Sequence, residues 1–325
     1  MLVRHHRGLS VKADPYYGEG GRGIIAGGGS PWTDKIEYIT VSTPSNGTDF
    51  GVLSSGAGWN FCGTSGNGRG FICAGNNGAS PWVTNEIRYI TIGTLGNSAD
   101  WGDLPNLHGQ SQATTNGDRA LTMGGQDGGP NWDLHDRIEY FSTVAAGNGS
   151  NFGTISSGTV IQSDATSDGT YAIVGHGRRA NGTHITWVDY CVIDTLGNTT
   201  QFGTGIEGRM MGACSNGTRA FYFAGDLDSA PFSYTTGKTI EYWTFATPSN
   251  ASRYGDLGDT FNGAKGLSDG SRGIAVCIKN GQLANMEYFD LNSSAVTSTN
   301  FGDLYNLPTP NPTSGREQAA VLAGD

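Results

Sequence analysis

The stretch Ile36-Glu37-Tyr38-Ile39-Thr40-Val41-Ser42-Thr43-Pro44-Ser45-Asn46-Gly47-Thr48-Asp49-Phe50-Gly51 decides the fold, because its pattern recurs along the chain. Its opening returns as Ile87-Arg88-Tyr89, Ile138-Glu139-Tyr140, Val188-Asp189-Tyr190, Ile240-Glu241-Tyr242 and Met286-Glu287-Tyr288, the tyrosines standing 51, 51, 50, 52 and 46 residues apart. Its closing pair returns as Trp101-Gly102, Phe152-Gly153, Phe202-Gly203, Tyr254-Gly255 and Phe301-Gly302, each aromatic 12 or 13 residues behind its tyrosine. Two marks held in one register over six copies define a structural repeat, and the period is that of a propeller blade.

Upstream of each tyrosine lies an apolar run that arginine opens in most copies: Arg22 to Gly28, Arg69 to Gly75, Arg119 to Gly125, Arg219 to Gly225 and Arg272 onward, with Tyr171 in the fourth. Turns such as Ser215-Asn216-Gly217 precede these runs, and Asn-Gly or Asp-Gly between short apolar segments marks a tight hairpin. Each unit therefore predicts four short antiparallel strands. Alternation along the strand sets Ile36 and Tyr38 on one face and Glu37 on the other.

Composition agrees with this reading. The chain has 53 glycines in 325 residues, only 15% charged residues and 10% aromatics. Stacked blades are apolar on both faces, which confines charge to loops and rims, and glycine supplies the turns. A net charge of -10 disfavours nucleic-acid partners. With no apolar run of membrane-spanning or signal-peptide length, a soluble chain outside the general export route is expected, without membrane insertion. Cys62, Cys73, Cys191, Cys214 and Cys277 include no C-x-x-C pair and read as reduced structural thiols.

The predicted fold is all-β, a six-bladed, kelch-like β-propeller of four-stranded antiparallel blades spanning residues 19–325, after an N-terminal arm at 1–18. Residues 316–325 carry the run Ala319-Ala320-Val321-Leu322, which resembles a first strand such as Gln112 to Asp118 and is expected to close the ring beside Arg22 to Gly28. The rival closing strand is His6 to Ala13.

The repeated order of arginine strand, Ile-Glu-Tyr-Ile-Thr, a Pro-Ser-Asn-Gly or Leu-Gly-Asn turn, Phe-Gly-Asp-Leu and Ser-Asn-Gly resembles glycine-rich, kelch-like repeat proteins encoded by tailed phages of marine cyanobacteria and similar bacteria. The resemblance covers about residues 20 to 325. Phe301-Gly302-Asp303-Leu304 is intact, Trp101 to Leu104 and Tyr254 to Leu257 differ only in the aromatic, and the fourth unit departs most, with Gln201-Phe202-Gly203-Thr204. The likeness to cellular kelch domains is weaker, since the paired glycine is clean only at Gly27-Gly28 and Gly124-Gly125. What the resemblance implies is a virion structural protein made in the host cytoplasm and carried on the tail or particle surface. It brings no catalytic set, cofactor or metal. Other virion proteins are the implied partners, with a host-polysaccharide adhesin and a capsid decoration protein as alternatives.

Three candidate binding features follow from the residues. The loop before the tyrosine strand carries Trp32, Trp82, Trp132 and Phe232, and Trp187 opens the fourth tyrosine strand. Equivalent loops share one rim, so these rings suit stacking on sugars or packing on a partner protein. The competing reading has each ring plug the seam to the next blade. The fourth loop holds a basic patch, His176, Arg178, Arg179 and His184, suited to an acidic partner or to simple solvation. Arg4, His5, His6, Arg7 and Lys12 form an arm opposite in sign to the body, either an anchor or a frayed end. The strand carboxylates Glu37, Glu139, Asp189, Glu241 and Glu287 fall at equivalent positions and are expected to pair structurally with the strand arginines, rather than to serve as the acids of a glycosidase.

Overall fold

The computed structural model describes residues 21–28, 32–54, 56–77, 82–128, 132–227, 237–279, 282–294, 296–304 and 320–323. The N-terminal arm and the rival closing strand at His6 to Ala13 lie outside the described residues. Blade 1 comprises β1 (Arg22–Ala26), β2 (Lys35–Thr40) and β3 (Thr48–Val52). Blade 2 runs β4 (Cys62–Gly66), β5 (Arg69–Cys73), β6 (Thr84–Thr91) and β7 (Ala99–His108), and blade 3 runs β8 (Gln112–Thr115), β9 (Arg119–Met123), β10 (Arg137–Ser142) and β11 (Ser150–Thr154). Blade 4 holds β12 (Asp164–Ser167), β13 (Tyr171–Gly175), β14 (Ile185–Val192) and β15 (Thr200–Gly208), and blade 5 holds β16 (Gly212–Ser215), β17 (Arg219–Phe223), β18 (Gly237–Thr244) and β19 (Ser252–Phe261). Blade 6 has β20 (Gly263–Ser268), β21 (Arg272–Lys279), β22 (Gln282–Asp290) and β24 (Thr299–Asp303), while β23 (Val296–Thr297) runs parallel to β19.

The C-terminal strand β25 (Ala320–Ala323) completes blade 1, pairing antiparallel with β1 from Ala26↔Ala320 to Gly23↔Ala323. The last strand of the chain thus sits beside the first arginine strand, as the sequence predicts, and gives blade 1 its fourth strand.

The apolar core is distributed over the blade seams. Ile24, Ile36 and Phe50 of blade 1 meet Ile72 and Ile90 of blade 2. Phe221 and Tyr254 of blade 5 meet Cys277 and Phe289 of blade 6, and the sixth seam joins Ile274, Met286 and Phe301 to Ile25 and Ile39 of blade 1. Every blade is covered on both faces, the physical reason for the low charge content. The five cysteines are buried and unpaired, and burial pushes the Cys191 thiol up to about 12.

The two sequence marks meet in an inter-blade clasp. The aromatic-glycine step of one blade lies against the turn after the tyrosine strand of the next. A Cβ at Gly51 would stand 2.2 Å from the Gly96 carbonyl oxygen, one at Gly153 2.1 Å from that of Gly197, and one at Gly302 2.3 Å from that of Ser45. Close approach of two backbones excludes any side chain there. The turn asparagine accepts across the seam: Val52 N–H donates to Asn97 Oδ1 at 3.1 Å, Thr154 N–H to Asn198 Oδ1 at 3.0 Å, and Asp303 N–H to Asn46 Oδ1 at 3.0 Å. The last of these joins blade 6 to blade 1, so the clasp also closes the ring.

The expected arginine–carboxylate pairing is overturned. Arg22 lies opposite Thr40 in the β1–β2 register, which sets it on the tyrosine face, away from Glu37. Its guanidinium stacks 4.8 Å over Tyr38 and donates to the Ile92 carbonyl of blade 2 at 2.8 Å. Arg119 repeats this on Tyr140 and Ile193, and Arg272 on Tyr288 and Val41. The carboxylates serve the opposite seam. Glu241 accepts from Ile206 N–H of blade 4 at 3.1 Å, Glu287 from Gly258 N–H of blade 5 at 2.8 Å, and Asp189 from Ser157 Oγ at 2.6 Å. Buried carboxylates are satisfied by the preceding blade, as burial of charge requires.

Candidate functional site: the tryptophan-bearing face

Antiparallel order sends every second-to-third-strand loop, and every linker between blades, to one end of the disc, here the upper face. The hairpin turns emerge at the lower face. Loop and linker are tied together by isolated bridges such as Thr33↔Gly58, Trp59↔Asn76 and Gly109↔Gln126.

Trp32, Trp82 and Trp132 stand on this face at equivalent places in blades 1, 2 and 3, exposed by 43%, 44% and 37%. Trp32 stacks on Trp59 of the following linker, ring centroids 3.7 Å apart and 19° from coplanar. Trp82 and Trp132 adopt φ values of 74° and 50°, the left-handed region that bulky residues avoid. Each costs about 1–2 kcal/mol of backbone strain, offset by burial of more than half of each residue. All three keep more than a third of their surface open to solvent, and Trp32 also packs on the linker into blade 2.

The other candidates divide. Trp187 lies within β14, 9% exposed, in the core of the blade 3–4 seam with Met123 and Ile138. It is a packing residue and leaves the set of rim aromatics. Phe232 lies outside the described residues, as do Arg4, His5, His6, Arg7 and Lys12. The basic patch is not a single surface. His176 is fully buried, its Nε2 3.0 Å from Glu241 Oε1 of blade 5, and His184 is also buried. Arg179 is exposed and donates to the Ser157 carbonyl at 3.1 Å. Arg178 joins a polar cluster at the upper mouth of the ring: its Nε and Nη1 of Arg209 both donate to Gln162 Oε1, at 3.0 and 3.1 Å, while Arg209 holds Asp226 at 2.7 Å. Arg209, Gln162, Asp226 and Trp59 carry no repeat signature, and sequence reading missed them.

Between blades 2 and 3 the upper seam holds His108, 3.0 Å from Glu139, with the His135 ring edge-on at 4.6 Å. Burial, with His108 and Arg137 nearby, pushes His135 down to about 2. The central channel is narrow, with a cavity of about 40 Å³ among the first strands, enough for a few waters. Lys265 and Asp164 meet across it at 3.5 Å, and burial raises the Asp164 carboxyl despite the lysine.

Fold and face together define a six-bladed β-propeller with a tryptophan-bearing upper surface. The structure of YjhT is similar, with a TM-score of 0.71 over 90% of this chain and 99% of that one at 12% identity. Likeness at this identity establishes the architecture alone. No family model matches the chain, and no curated protein matches it in sequence.

Proposed function

We propose that the chain is a non-enzymatic structural and interaction module of a tailed-phage particle, associated with the tail or its fibres, that binds other virion proteins through its rims and N-terminal arm. The particle assignment rests on the repeat resemblance. The interaction role rests on one observation: a ring locked at its seams leaves three exposed indoles at equivalent positions of one face. A rigid disc with its recognition chemistry on loops suits a spacer or adaptor. A second reading, a host-polysaccharide adhesin of the tail, is favoured by the strained, solvent-facing Trp82 and Trp132.

Immunogold labelling of purified particles with antibody to this chain tests the assignment. Gold on the tail is expected. Gold spread over the head in high copy number indicates a decoration protein instead, and unlabelled particles refute the particle assignment altogether.

A further inference from the structure

Two of the five cysteines face each other across adjacent strands. In the β4–β5 hairpin Cys62 lies directly opposite Cys73, and both sit in the apolar core between blades 2 and 3 with Phe71, Trp101 and Ala113. Cys191, Cys214 and Cys277 stand opposite Ala172, Phe221 and Ala264 instead.

The register fixes the separation. Asn67 and Gly68 have φ values of 53° and 72°, the two left-handed residues of a type I′ turn, so the flanking pair Gly66↔Arg69 exchanges both its hydrogen bonds. Alternation along the ladder makes Cys62↔Cys73 another hydrogen-bonded pair, with Cα atoms about 5.5 Å apart. A disulfide spans about 4.4–6.8 Å between Cα atoms, so this spacing already suits one. Only the Cβ atoms must draw together, by about 1 Å. The end of the hairpin allows it: Cys62 opens β4, Cys73 closes β5, and just outside them Asn60, Ala74 and Gly75 interrupt the ladder with φ values of 56°, 57° and 91°.

Their surroundings separate the two thiols. Ser111 Oγ donates to Cys62 Sγ at 3.4 Å, and Cys62 lines the cavity of the central channel with Gln112 and Lys265. Hydrogen bonding by the Cys73 thiol and by Ser111 holds the Cys62 thiol below its ordinary value, whereas burial raises that of Cys73. Thiolate is the reactive form, which makes Cys62 the attacking sulfur and Cys73 the resolving one. A cavity that holds a few waters has room for hydrogen peroxide, which is little larger.

We propose that Cys62 and Cys73 are a peroxide-sensitive dithiol that closes to a disulfide within blade 2. The Cys62 sulfur attacks one peroxide oxygen, the O–O bond breaks, and hydroxide leaves with the thiol proton as water, giving a sulfenic acid. The Cys73 sulfur then attacks that of Cys62; the S–S bond forms, the S–O bond breaks, and a second water leaves with the Cys73 proton. The two thiols give up two electrons, and peroxide is reduced to two waters. This site is independent of the tryptophan-bearing face and of the particle assignment.

Tryptic mass spectrometry of the full-length protein, with and without brief peroxide treatment before alkylation in denaturant, tests it. Arg69 lies between the two cysteines, so cleavage leaves Cys62 in residues 36–69 and Cys73 in residues 70–88, each without a second cysteine. Peroxide should link these peptides at a mass about 2 Da below their sum, dithiothreitol should separate them, and Cys191, Cys214 and Cys277 should still be alkylated. In Cys73→Ser, peroxide should leave a sulfenic acid on Cys62 that dimedone traps. The linked protein should melt at or above the reduced one. Both thiols still alkylated after peroxide, Cys62 carried on to sulfinic acid beside a free Cys73, links scattered among the other cysteines, or a linked protein melting several degrees below the reduced one would each overturn the proposal.

Discussion

Replacing Gly153 by alanine places a methyl group 2.1 Å from the Gly197 carbonyl oxygen, about 1 Å inside the closest ordinary contact. The obstacle is backbone, so no side chain can swing away. Relief requires the blade 4 turn to withdraw, and three hydrogen bonds oppose this: Gly197 N–H to the Phe152 carbonyl at 3.1 Å, Thr154 N–H to Asn198 Oδ1 at 3.0 Å, and Thr199 N–H to the Thr154 carbonyl at 2.9 Å. At about 1 kcal/mol for each bond lost, the substitution costs about 3 kcal/mol. Unfolding entropy near 2.1 cal/mol/K per residue gives about 0.7 kcal/mol/K for a chain of this length, so the melting temperature should fall by about 4 °C. Scanning calorimetry measures this, with Gly93→Ala as the control. Gly93 lies in the equivalent turn of blade 2, where an added Cβ meets nothing within 4 Å, and that variant should melt within about 1 °C of the parent or slightly above. Since Gly153 does not have a left-handed φ, the comparison isolates space from backbone conformation. A Gly153→Ala protein melting with the parent would refute the clasp.

Two further outcomes follow from the seams. Arg119→Met removes both the stack on Tyr140 and the charged hydrogen bond to the Ile193 carbonyl, and should cost about 2 kcal/mol in urea unfolding. Unfolded His135 takes up a proton as pH falls through about 6.5, whereas the folded chain holds its pKa at about 2, so its contribution to stability is lost progressively between those values. At pH 5 that loss is about 2 kcal/mol, and His135→Gln should narrow the stability difference between pH 8 and pH 5 by the same amount.

The ring was legible because its marks are local and repeated. Tyr38 and Phe50 lie within one unit, and their spacing survives every loop insertion. Their purpose was not legible, since the partners of Gly153 belong to a turn about forty residues on, in another blade. Alternation could have corrected the arginine–carboxylate expectation: β1–β2 pairing sets Arg22 on the tyrosine face and Glu37 on the other. Trp187 and Trp132 look alike as aromatics ahead of a tyrosine strand. They separate only because β14 begins at Ile185, which makes Trp187 a strand residue turned into the seam, while Trp132 stays in its loop. His176 is buried through Glu241, a partner in the next blade that no short-range pattern announces.

Everything assigned to the upper face depends on a ring closed by its last strand, and deletion of residues 316–325 tests that most directly. Losing the β25 pairing with β1 removes about 4 kcal/mol of backbone hydrogen bonding, equivalent to a fall of about 6 °C in melting temperature. It also bares the β1 edge to self-association. Calorimetry with size-exclusion chromatography should therefore record a lower melting temperature and a concentration-dependent shift to larger species. A truncated protein that melts with the parent and stays at the parent's elution volume would contradict the account.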